Sequence, residues 1–68
     1  MKSRIELAEA VLKEYCRLKG EPLDSFETGI TDLNTDLMHL ANKEELDGIV
    51  ISGMAMLHFE AEKLGMHN

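Results

Sequence analysis

The stretch Asp47–Leu64, DGIVISGMAMLHFEAEKL, constrains this chain most, because it is apolar around nearly its whole circumference. Wound at helical period, Leu46, Val50, Gly53, Met54, Leu57, Ala61 and Leu64 share one side, an ordinary core stripe. The remainder is less ordinary. Ile49 and Met56 fall on one flank, Ile51 and Ala55 on the other, and Phe59 points nearly away from the stripe. A surface helix of a three-helix monomer has no use for that much apolar area. The segment turns polar through His58, Glu60, Glu62 and Lys63, and Gly65 suits the left-handed residue that closes a helix. A buried strand over Gly48–Gly53 is the rival reading, since Ile49-Val50-Ile51 is β-branched and flanked by glycines. No second strand-like run exists to pair with it, so a helix over 47–64 is expected.

Two further helices precede it. Ser3-Arg4-Ile5-Glu6 fits a capping box, in which the Ser3 hydroxyl accepts from the Glu6 N–H while Glu6 reaches back. Ile5, Ala8, Val11, Leu12, Tyr15 and Leu18 then form a stripe, widened by Leu7, with Glu9 and Lys13 at the favourable i, i+4 spacing on the far side. Gly20 and Pro22 end this helix, expected over 4–19. Asp24 or Ser25 caps a second, expected over 25–42, whose stripe of Phe26, Ile30, Leu33, Leu37, Leu40 and Ala41 approaches a heptad seam. Gly29 inside it costs about 1 kcal/mol relative to alanine, so either a neighbour packs closely there or the helix starts near Ile30. His67-Asn68 reads as a frayed tail. The fold class is therefore all-α: a small three-helix bundle forming a single domain over 1–68, completed by homodimerisation.

Size sharpens that last point. A chain of 68 residues buries about 60% of the surface it exposes unfolded, and its core supplies only ~3–5 kcal/mol without a staple or a partner. The single cysteine, Cys16, rules out an intramolecular disulfide and suits a reducing, cytoplasmic setting. It reads as a small semi-buried hydrophobe, since no activating neighbour is identifiable. Met1–Ala10 carries acids among its apolar residues, unlike a signal peptide, and no apolar run is long enough to span a membrane.

Charge excludes more. Thirteen acids against seven Lys and Arg leave a net charge of −6. That balance disfavours nucleic-acid backbones and anionic membrane surfaces, and suits solubility or a basic protein partner. Helix-turn-helix DNA binding fails on the same ground, because the third helix would enter the groove with Lys63 as its only basic residue.

The chemistry-bearing residues form one row. Asp32, Asp36 and His39 are spaced i, i+4, i+7 on one flank of the second helix, and Lys43 continues it. Carboxylates and imidazole at that spacing can hold a divalent metal, with His58 and Glu62 of the third helix as candidate further ligands. Seam-to-seam antiparallel packing places His58 on the opposite flank and Glu60 on the same one, so within one chain the set is poorly assembled. Metal binding through Asp32, Asp36, His39, His58 and Glu62 is the alternative class, which a two-fold between copies would help to complete. A solvated row with His39 at the boundary is the plainer expectation. Ser25 and Ser52 lack nucleophile-elbow context, and no Lys follows Gly48 or Gly53 in a phosphate-cradling pattern. No catalytic residue and no cofactor is expected.

Asp32-Leu33…Asp36-Leu37-Met38-His39-Leu40, and later His58-Phe59-Glu60-Ala61-Glu62, carry one resemblance. From about Ile30 to Glu62 the chain resembles a group of short, uncharacterised bacterial and prophage-encoded helical proteins. The resemblance implies an accessory or mobile-element role and nothing catalytic. The leading expectation is a protein-binding module, paired with itself or with another protein, whose interface residues are Ile49, Ile51, Ala55, Met56 and Phe59.

Overall fold

The computed structural model describes residues 2–65 and is all-α, with three helices and no strand among the described residues. Helix α1 spans Arg4–Lys19, α2 spans Phe26–Lys43 and α3 spans Gly48–Lys63. The tail His67-Asn68 lies outside the described residues. The strand alternative for Gly48–Gly53 is settled in favour of the helix.

Local chemistry explains each boundary. At the start of α1 the Ser3 Oγ accepts from the Glu6 N–H at 3.1 Å, and Glu6 Oε1 accepts from the Ser3 N–H at 3.1 Å, closing the capping box. Gly20 ends α1 in the left-handed region at φ 74°, where a side chain would be strained. Ser25 Oγ takes the Thr28 N–H at 3.1 Å and opens α2. At the start of α3, Asp47 Oδ1 accepts from the N–H groups of Ile49 and Val50 at 3.0 and 3.1 Å.

The chain divides into two units, Met1–Thr35 and Asp36–Asn68, with the division inside α2. In the first, α1 buries Leu12 (4% exposed) and Cys16 (9% exposed). Gly29 is buried too, and its neighbours explain it. A Cβ built there would come 2.6 Å from Leu23 Cδ1 and 3.2 Å from Leu12 Cδ1. Of the two explanations for this glycine, close packing is the one realised, and α2 begins before it. Lys19 ties the same unit together. Its Nζ lies 3.0 Å from Glu21, 3.6 Å from Asp32 and 4.8 Å from the centre of the Tyr15 ring. The Glu21 carboxylate is the main reason its ammonium holds its proton more tightly than an ordinary lysine.

In the second unit the chain leaves α2 through a turn at Glu45, which adopts φ 62°, while the Leu46 N–H donates to the Ala41 carbonyl at 2.9 Å. Helix α3 then begins against α2. A Cβ on Gly48 would meet Met38 Cβ and O at 3.1 Å and Cα at 3.2 Å, so a side chain here fits only if the backbone of α2 gives way by a few tenths of an ångström.

These two glycine contacts correct the expected core. The stripes of α2 and α3 were expected to face inward, yet Phe26, Ile30, Leu37, Leu40, Leu46, Val50, Met54, Leu57 and Leu64 are all exposed. Close approach decides which face of a helix is covered. Gly29 lies at the edge of the α2 stripe, and Gly48 lies nearly opposite Val50 and Leu57 on α3. On α1, Leu12 and Cys16 are covered, whereas Ile5, Val11 and Leu18 are not.

Candidate interaction surface on the third helix

The apolar residues of α3 stay in solvent. Ile49 is 76% exposed, Met56 68% and Phe59 60%, and no residue of α3 is buried. Ile51, at 38%, is the least exposed of its large apolar side chains, and Ala55 is exposed as well. Lys63 Nζ stands 5.7 Å from the Phe59 ring centre, one helical turn away, and leaves most of that ring open. On the stripe side, Leu57 is 71% exposed. From Gly48 to Leu57 the helix carries no ionisable side chain, so its middle is an uncharged apolar rod. Beside its start, an open hollow of about 540 Å³ is lined by Met38, Asn42, Leu46 and Ile49 among others.

Among the described residues, seventeen large apolar side chains are exposed. Scattered apolar residues on a surface are normal, but contiguous ones along a helix mark a binding face.

The candidate metal ligands behave differently. Asp32 lies in the first unit and is half-buried, 3.6 Å from the Lys19 ammonium, which it shares with Glu21. Asp36, His39, His58 and Glu62 lie in the second unit. Asp36 and Glu62 are already engaged in interactions, and both histidines are exposed. Among the described residues, no three His, Cys, Asp or Glu side chains come together as a set that could hold a metal ion. Cys16 is a buried free thiol. It borders a cavity of about 320 Å³ in the first unit, which Tyr15, Lys19, Leu23 and Asp32 also line. No feature of the sequence announced that hollow, because it forms where the Glu21–Ser25 connector folds back over α1. Among the described residues, no helix is long and apolar enough to cross a membrane.

No protein-family model, curated protein or solved structure matches the chain. Its function must be argued from its own surface.

Proposed function

We propose that the chain works by binding protein, as a homodimer or with another protein, through the flanks of α3, and that it is not an enzyme. One observation carries this reading: Ile49, Met56 and Phe59 stay in water on a helix whose middle bears no charge. Leaving such side chains solvated forfeits about 1.5–3 kcal/mol each, which a protein partner recovers. Ile51 and Ala55 extend the contact around the helix. Methionine suits such a surface because its unbranched, polarisable chain repacks against different shapes. The net charge of −6 favours encounter with basic proteins and disfavours nucleic acid and anionic membranes. An accessory or inhibitor role of the phage or mobile-element kind is what the resemblance of residues 32–40 and 58–62 implies, and the single cysteine suits a cytoplasmic setting.

The test is light-scattering mass on a size-exclusion column, over a dilution series, for the chain and for a double variant, Ile49→Glu with Phe59→Glu. Both sites are exposed, so the charges remove no core contact. Association is expected to be lost with helix content unchanged. A variant that associates as the parent does sinks the flank assignment.

A further inference from the structure

All three helices close with the same backbone hydrogen bond, and one of them departs in the residue that makes it. The Gly20 N–H donates to the Arg17 carbonyl at 3.1 Å, the Gly65 N–H to Glu62 at 3.0 Å, and the Glu45 N–H to Asn42 at 3.1 Å. The three residues share a left-handed backbone, at φ 74°, 74° and 62°. Glycine adopts it freely, whereas a glutamate crowds its Cβ against the following carbonyl. Closing α2 therefore does not account for Glu45, since glycine closes α1 and α3 without strain.

The surroundings do. The exposed Glu45 side chain stands at the rim of the open hollow of about 540 Å³ beside the start of α3. Met38, Leu46 and Ile49 give that hollow its apolar lining, and Asp47 adds a second carboxylate to the border. Both N-cap hydrogen bonds of Asp47 go to a single oxygen, Oδ1. None of the described residues lining the hollow is basic.

We infer that this hollow docks a basic segment of a partner protein. An apolar side chain of the partner enters against Met38, Leu46 and Ile49, and an adjacent arginine or lysine meets Glu45 and Asp47. This docking rests on the protein binding proposed above and gives the partner's chemistry. Charge complementarity selects the occupant. An acidic segment would face two carboxylates at the rim and a chain of net charge −6 behind them, and a second copy brings that same charge. A purely apolar segment would leave the strained Glu45 without a use. Met38 suits the lining, because an unbranched thioether repacks around side chains of different shape.

The experiment titrates the full chain into a fluorescein-labelled peptide of alternating leucine and arginine, and reads anisotropy at physiological ionic strength, where long-range charge is screened. Melting temperatures are taken by circular dichroism on the same proteins. The parent is compared with Glu45→Gly, Glu45→Lys and Glu27→Lys, the last making the same change of charge in the first unit. Glu45→Gly is expected to melt higher than the parent yet to bind the peptide about three- to fivefold more weakly, the worth of one exposed ion pair. Glu45→Lys keeps a side chain in the left-handed position and is expected to weaken binding about tenfold, while Glu27→Lys stays within roughly twofold of the parent. Affinity that Glu45→Gly leaves at the parent value overturns the docking site, as does an equal loss in Glu27→Lys and Glu45→Lys. A parent chain that does not bind the peptide overturns it too, and the association measured with Ile49→Glu and Phe59→Glu then decides the flanks of α3 separately.

Discussion

At the scale of single residues, the protein is shaped by what glycine permits. Gly48 and Met38 meet backbone to backbone, and no side-chain rotation can make room there. Gly48→Ala is therefore expected to destabilise the chain by about 1–3 kcal/mol, although alanine is the better helix former. Urea unfolding of the variant checks this, and an unchanged midpoint would mean that Met38 does not hold that position in solution. Gly29 is more forgiving, because the atoms a methyl group would meet are the far ends of Leu23 and Leu12. The same difference shows why the glycines were only half legible from sequence. That Gly29 needed an explanation was readable from its place in a helical pattern; which neighbour supplied it was not, since Leu12 and Leu23 arrive from other segments.

At the scale of the element, the helices were legible nearly to the residue, because their signals are local. Ser3 with Glu6, Gly20 and Gly65 each act on backbone groups within a few positions. The buried face was not legible, because an apolar stripe states which side prefers burial and close approach decides which side gets it. The candidate metal row has the spacing expected on α2, but Asp32 also lies 3.6 Å from Lys19, a contact across two helices that periodicity along one cannot display. Helix α1 also carries its own pH response. Hydrogen bonds from Arg17, one at 2.8 Å, hold the Glu14 carboxyl below its ordinary value, and the Glu21 carboxylate holds the Lys19 ammonium above its own. A lowered acid stabilises the folded form above its unfolded value and loses that contribution as pH falls through the lowered one. A raised base contributes below its unfolded value and loses it only as pH rises through the raised one. Both pairs are thus intact at neutral pH, and Glu14 gives up its contribution only as acid carries the pH below its ordinary value. Arg17→Gln is expected to lower the neutral plateau slightly and to flatten the acid limb of a stability titration below about pH 4.5 by the same small amount, since the pair lies in solvent. An acid limb as steep as the parent's would remove this pair from the account.

At the scale of the molecule, two buried apolar side chains among the 64 described residues, Leu12 and Cys16, are a small core. Under the proposed homodimer, association supplies stability that so small a core does not, and that dependence has a measurable form. For an obligate dimer, unfolding and dissociation are one equilibrium, so the melting temperature follows concentration. Each tenfold dilution is expected to lower it by about 5 °C, from the entropy of unfolding two such chains. Calorimetry across two decades of concentration measures the slope, and a melting temperature independent of concentration would show that the isolated chain is stable by itself. What was legible at this scale was the surplus on α3, because an all-round apolar helix is visible in any register. The exposure of the α2 stripe came only with the structure.

Cys16 gives the first unit a built-in clock. Its residue is only 9% exposed, beside Leu12, the best-covered apolar side chain among the described residues, and it is the only thiol in the chain. A thiol reagent in solution therefore reacts faster whenever α1 lifts from its neighbours. The labelling rate, divided by that of a free thiol, equals the fraction of time spent open. One native atom, with no engineered tag, reports how often this small protein comes apart at that end.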